Sequence, residues 1–367
     1  MTSTGAATTI TDSAPTTTAE DFGERLFGAV LGAQLVQAAY LGDRLGYYRA
    51  LAAGACTPAE LAARTGTIER YAREWLEHQA VSGVLTVDGD AGAAAEQRRY
   101  RLPAGHAEVL TDVLSPDHVL PLARMVAGLG LHLDALVEAY RRGTGVPWAQ
   151  FGVDARESQA AANRPLFLGA LPREYLPSIP EIRAVLERGG RIADIGCGFG
   201  WSAIGIALAH SRVTVDGYDV DEPSIAAARQ NADDAGVADR VRFHHADAAT
   251  AEGRFDLVTA FECVHDLPDP VGVLATMRGL AAPDGIVLVV DERVAETFTA
   301  PGDEVEQLMY GWSITCCLPD GLAHPGSVGT GTVMRPATLR RYARQAGFAG
   351  LEVLPVEDLF FRFYRLA

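Results

Sequence analysis

In ADIGCGFGWS, residues 193–202, a glycine stands at every second position from Gly196 to Gly200, just after Asp194. Glycine lacks Cβ and reaches positive φ without steric cost. Gly196 and Gly198 can therefore bring bare backbone against a ligand, while Gly200 lets a helix begin close to the preceding strand. Two further acids stand at corresponding places. Asp219 ends the next apolar run, and Asp247, in HHADAA, ends the one after that. A carboxylate at the first place can accept both hydroxyls of a ribose, and one at the second can accept from an adenine amino group. The pyrophosphate fingerprint G-x-G-x-x-G needs a final glycine where this chain has Trp201, and the loop carries no basic residue. An acidic loop repels phosphate and suits a cation. A ligand with adenine, ribose, positive charge and no phosphate is S-adenosylmethionine.

These residues need a scaffold that brings successive strand ends to one edge. From residue 191 onward, apolar runs of strand length alternate with helical segments: RIADIG, WSAIGIALAH, RVTVDGYD, PSIAAARQNADDAG, VRFHHAD, FDLVTAFECV, PVGVLATMRGLA and GIVLVVDE. This pattern predicts a parallel sheet covered on both faces. The closing strands, LEVLPVE and LFFRFYRL, are joined by too few residues for a crossover helix, so they should pair antiparallel. The fold expected is α/β: a Rossmann-like seven-stranded sheet, its last strand antiparallel, behind a mainly helical N-terminal winged-helix domain.

That N-terminal domain is placed at residues 21–115. TPAELAARTG opens with a capping-box pattern, Thr57 with Glu60. The next helix, from TIERYAREWLEHQAV, puts Ile68, Tyr71, Trp75 and Leu76 on one side. VLTVDGDAGAAAEQRRYRLP reads as two short strands forming a wing. The second helix carries Glu69, Glu74 and Glu77 against Arg70 and Arg73, so it offers no face for phosphates. The formal charge of −16 points the same way, and all 31 basic residues are arginine. A dimerisation platform and pocket wall is expected, not a nucleic-acid reader. Phe27–Gly42 is a long uncharged stretch, too short to span a membrane, and reads as a buried or subunit-interface helix. Residues 1–20 read as a disordered tail, and 116–185 as a helical linker forming another pocket wall. The five cysteines have no metal-ligand spacing and suit free thiols in a reducing cytoplasm.

Residues 186–367 resemble a class I S-adenosylmethionine-dependent methyltransferase. The likeness rests on ADIGCGFG, GYDVDEPSIAAAR, HHADAA, FDLVTAFECVHDLPDP and LAAPDGIVLVVDE. With the winged helix, the chain is similar to the dimeric small-molecule O-methyltransferases of plant phenolic and actinobacterial natural-product metabolism. The expected cofactor-binding set is Asp194, Gly196, Cys197, Gly198, Asp219, Val220, Asp247, Ala248 and Phe261. The resemblance makes His265, in the His265–Asp266 pair, a general base oriented by Asp291, with Glu292 as the alternative orienting acid. A neutral imidazole is chemically apt to take a hydroxyl proton. Plant-type members carry a second orienting acid where this chain has Met334, before Arg335-Pro336. His265, Asp266 and His324 could instead form a two-histidine, one-carboxylate metal set, although no metal is expected. His244 and His245 read as packing or rim residues.

The stretch Val294–Val333 is long for a loop and should form a lid over the acceptor. Met309, Tyr310, Trp312 and the Cys316-Cys317 pair imply a partly apolar small molecule, with Trp148, Phe151, Asn163 and Phe167 closing the pocket from the linker. The chain is expected to be a cytoplasmic homodimer acting on a phenolic, enolic or keto-acid-like acceptor. C- or N-methylation and a cofactor-sensing regulator are the alternatives.

Overall fold

The computed structural model describes residues 18–367. Most of the expected 1–20 tail lies outside the described residues; Thr18 caps the Ala19–Arg44 helix through a reciprocal pair with Asp21.

The winged-helix unit is built from the Pro58–Thr65 and Glu69–Val81 helices and two short strands, β1 (Thr86–Asp88) and β2 (Arg99–Arg101), paired antiparallel. The Thr57–Glu60 capping box forms as expected, satisfying two orphan amides. The buried side of the second helix differs from expectation. Ala72, Trp75, Leu76 and Gln79 face inward, whereas Ile68 and Tyr71 are exposed. Ile68 is the N-cap, ahead of the helical turns, and Tyr71 precedes a stripe whose true phase is 72, 75, 76 and 79. Gln79 is fully buried because Tyr48 donates to its Oε1 at 2.6 Å.

The second half is one seven-stranded sheet: β3 (Arg191–Ile195), β4 (Thr214–Asp219), β5 (Val241–His245), β6 (Phe255–Phe261), β7 (Ala281–Glu292), β8 (Leu351–Val353) and β9 (Phe361–Leu366). Their spatial order is β5-β4-β3-β6-β7-β9-β8. The first five neighbours pair in parallel, and β9 runs antiparallel between β7 and β8. Alternation along the strands feeds two cores. Ile192, Leu257 and Leu288 pack on one face with Ile204 and Ile225, while Ala193, Val258 and Val289 pack on the other with Leu274 and Leu339. The chain order reverses at β3, so the carboxyl ends of β3, β4 and β6 surround the switch point where doubly wound sheets bind ligands.

The Trp148–Leu168 helix, kinked at Gly152 (φ 76°), crosses this edge. Its Arg156 forms a bidentate pair with Asp221 beyond β4 (2.8 and 3.0 Å), and its Arg164 lies over the Trp201 ring. The 294–333 insertion contains the Glu304–Trp312 and Leu318–Leu322 helices joined by a π-helical turn, Ser313–Cys317. It docks on the linker helices: Trp312, Cys316 and Cys317 pack with Met125, Val146 and Phe151. Val146 N–H donates to the Pro319 carbonyl at 2.9 Å, and Trp148 N–H to Asp320 Oδ1 at 2.7 Å.

Candidate active site

The three glycines of the β3 loop all adopt left-handed φ: 70° at Gly196, 50° at Gly198 and 78° at Gly200. They serve different ends. A Cβ on Gly196 would stand 2.7 Å from Cys263 Sγ, and one on Gly200 would collide with the Phe243 ring. A Cβ on Gly198 would meet nothing within 4 Å. Gly196 therefore fits the loop to the end of β6 and Gly200 fits it to β5. Gly198 is the one that turns bare backbone toward open space.

Asp194 is buried beneath the loop. Ser202 Oγ donates to its Oδ2 at 2.5 Å and Thr259 Oγ1 to its Oδ1 at 2.8 Å. Burial pushes its carboxyl up to about 6 despite these donors. Both oxygens face protein, so Asp194 braces the loop from below. Asp219 accepts the Gly198 N–H at 2.8 Å and the Asp221 N–H at 2.9 Å, which locks the end of β4 to the loop. Val220 beside it is 68% exposed. Asp247 is exposed and holds the Ala249 N–H at 2.8 Å, starting the short turn Ala248–Thr250. Cys197 and Phe261 are buried in the core, Phe261 tilted against Phe167 at 5.7 Å.

Further along the same edge, His265 is 3% exposed. Its Nδ1 lies 2.7 Å from Asp291 Oδ1, and its Nε2 lies 3.4 Å from Asp266 Oδ1. Burial alone would lower the imidazole pKa. The two carboxylates outweigh it and hold the ring well above the ordinary 6.5. The raised affinity means that His265 gives up its proton less readily than a bare imidazole. Asp291 Oδ1 contacts the ring, while the Glu292 side chain makes no hydrogen bond to it. Met334 is 2% exposed and packs in the core with Val264; Asp266 supplies the second carboxylate that Met334 cannot.

His324 does not join this cluster. It is half-exposed and 3.9 Å from Asp320. Cys317, from the π-helical turn, occupies the third position instead: its Sγ, a His265 ring nitrogen and an Asp266 oxygen lie within 4.8 Å of one another. Of the linker residues, Asn163 reaches the edge, whereas Phe151 and Phe167 are core residues and Trp148 anchors the insertion. Met309 is buried, and Tyr310 accepts from Arg335 at 3.4 Å on the outer side of the insertion. His244 stacks on Tyr218 at 4.7 Å and pairs with Asp216, and His245 contacts the Val220 carbonyl; both are packing contacts.

Residues 167–353 match the methyltransferase domain family, and residues 33–112 match the Rv2258c-like winged HTH domain. This chain belongs to the methyltransferase domain family. A ubiquinone biosynthesis O-methyltransferase of Aromatoleum aromaticum is 34% identical over 170 residues, 45% of this chain and 67% of that protein. The 27-O-demethylrifamycin SV methyltransferase of Amycolatopsis mediterranei is 37% identical over 109 residues, 29% of this chain and 40% of that protein. Other relatives share similarly limited stretches, about two fifths of their length in the ubiquinone biosynthesis O-methyltransferase of Psychrobacter arcticus. The solved structure of mitomycin 7-O-methyltransferase superposes with a TM-score of 0.70 at 21% identity, covering 95% of this chain and 98% of that one. Human N-acetylserotonin methyltransferase, solved with its S-adenosylmethionine, gives 0.65 at 20% identity over 96% and 99%.

The methyltransferase uses S-adenosylmethionine, and its edge suits that cofactor: open backbone at Gly198, carboxylates at the ends of β4 and β5, and no basic side chain in the loop. Three residues of this edge were not assigned to it from the sequence, and two of them carried no clear signal there. Arg156 is one arginine among many in a helix. Cys317 comes to His265 only through docking of the insertion. Glu262 was visible as an acid at the end of the apolar run FDLVTAFE, a position that burial makes costly.

Proposed function

We propose that this methyltransferase alkylates a hydroxyl oxygen of a small, partly apolar acceptor, with His265 as the base that takes the hydroxyl proton. The observation that carries this reading is the His265 Nδ1–Asp291 Oδ1 contact of 2.7 Å, which fixes the ring and leaves Nε2 beside Asp266. Bound S-adenosylmethionine supplies an electrophilic methyl group. Asp219 and Asp247 would hold its ribose and adenine, with Val220 and Ala248 beside the base and Gly198 giving backbone contact. Asp291 holds the imidazole in place and stabilises its protonated form. The Asp266 carboxylate, 3.4 Å from Nε2, raises the proton affinity of the ring, which must be unprotonated before it can take the hydroxyl proton. Much of the rate comes from aligning acceptor oxygen and methyl in line. The aromatic and sulfur-containing insertion suits a phenolic, enolic or keto-acid-like acceptor.

The same reading makes the protein a homodimer. Phe22, Leu26, Phe27, Val30 and Leu31 line the Ala19–Arg44 helix with half or more of several side chains exposed, an apolar surface that a second copy would cover. A DNA-binding role is disfavoured by charge: Arg70 pairs with Glu74, Arg73 with Glu69 and Glu96, and Arg98 with Glu77. No single helix among the described residues is long and apolar enough to cross a membrane. Incubation with methyl-labelled donor and a panel of phenols and enols, followed by mass spectrometry, tests the assignment. O-methylated product supports it; label found only on carbon or nitrogen refutes it.

A further inference from the structure

We propose that Glu262 binds the α-ammonium group at the methionine end of the donor. The inference rests on the S-adenosylmethionine reading and adds a residue to it.

Strand order gives the direction. The adenosine-binding carboxylates stand at the ends of β5 and β4, so a donor laid along the edge runs past β3 and brings its methionine end to β6. Glu262 is the first residue beyond β6. Cys263, its neighbour, abuts Gly196 in the glycine loop.

Three features of Glu262 lack an explanation in packing. It is the one non-glycine residue with positive φ among the described residues, at 52°. That backbone is strained for a residue with Cβ, and its N–H donation to the Val290 carbonyl at 2.8 Å holds it there. The strain aims the side chain across the edge toward the Trp148–Leu168 helix, where Gln159 Nε2 (3.1 Å) and Asn163 Nδ2 (2.9 Å) both donate to Oε2. Oε1 is buried with no hydrogen-bond partner. Two neutral amides fix the carboxylate without neutralising it, and the second oxygen remains free for a cationic donor.

The neighbouring charges leave room for that cation. The Asn163 hydrogen bond and the nearby His265 favour ionisation of Glu262, while Asp291 and Asp358 oppose it. Burial is the largest cause, and the carboxyl is pushed up to about 8. An arriving ammonium reverses this balance and ionises Glu262, so donor binding near neutrality releases a proton.

The test compares two nucleosides by isothermal titration calorimetry. S-adenosylhomocysteine carries the ammonium, whereas 5′-methylthioadenosine has adenosine and sulfur without the amino-acid tail. Glu262→Gln should weaken S-adenosylhomocysteine by about ten- to a hundredfold and leave 5′-methylthioadenosine within about twofold, the difference expected for one charge-assisted hydrogen bond. Titration in two buffers of different ionisation enthalpy should show proton release with S-adenosylhomocysteine on the wild type and none on the variant. Retained affinity for both ligands, or equal loss of both, overturns the assignment. Failure of the wild type to bind either ligand would instead strike the donor reading itself.

Discussion

His265 Nδ1 and Asp291 Oδ1 meet at 2.7 Å although they lie on different strand–loop junctions, one after β6 and one within the end of β7. The parallel β6–β7 register pairs Phe261 with Val290 and so puts the two strand ends side by side, with His265 in the turn four residues beyond β6. The sheet thus anchors Asp291 within β7, while the turn after β6 carries the imidazole to it.

If His265 is the base, His265→Ala should lower kcat by roughly a hundredfold or more while donor affinity changes little. Steady-state kinetics on whichever acceptor the labelling screen returns, with donor binding measured separately, checks both halves. A loss within about threefold in kcat would remove His265 from the chemistry.

The pH dependence follows from the carboxylates around that ring. A base must be unprotonated, and Asp266 and Asp291 hold His265 well above the ordinary imidazole value of 6.5. The acid limb of kcat/KM should therefore lie above that value. Asp291→Asn removes one of the two attractions, so the limb should move downward and the maximal rate should fall as the ring loses its anchor. A limb at or below 6.5 in the wild type contradicts the arrangement.

Stability of the ligand-free protein should decline with rising pH over the neutral range. Glu262 is raised from 4.5 to about 8 and Glu292 is raised well above 4.5, so the folded state binds more protons than the unfolded one across that window. Unfolding free energy then falls as pH rises through it. The His265 shift has the same sign: its contribution is present below 6.5 and is lost as pH passes its raised value. Thermal melts from about pH 6 to about pH 9 should show Tm falling, with a smaller fall in Glu262→Gln. A Tm that rises across this range contradicts the buried carboxyls.

Placing acidic groups on the exposed apolar helix should separate the subunits. Leu26→Glu combined with Val30→Glu should convert a dimer to a monomer in light scattering, since burying two unpaired carboxylates is costly. A monomeric wild type, or a variant that stays dimeric, removes this helix as the interface.

The parallel sheet and its antiparallel close were legible in the sequence because each strand is a short apolar run and each crossover an obvious helix; the strand order was not. The ends of the elements were legible too, through Thr57 and the glycine loop. What the sequence could not reveal depends on docking between distant segments. Cys317 reaches His265 because the insertion packs on the linker, Arg156 reaches Asp221 across a kinked helix, and Met334 is core where an acid was absent. The division of labour among the glycines also needed coordinates, since only contacts with Cys263 and Phe243 distinguish Gly196 and Gly200 from Gly198.

The most direct measurement is calorimetry of S-adenosylhomocysteine binding to the folded wild type and to Asp219→Asn. The carboxylate edge predicts one ligand per chain, and an affinity about tenfold or more lower in the variant, where a charged acceptor for the ribose hydroxyls has become a neutral amide. Absence of binding to the wild type, or equal affinity in the two proteins, would contradict the account.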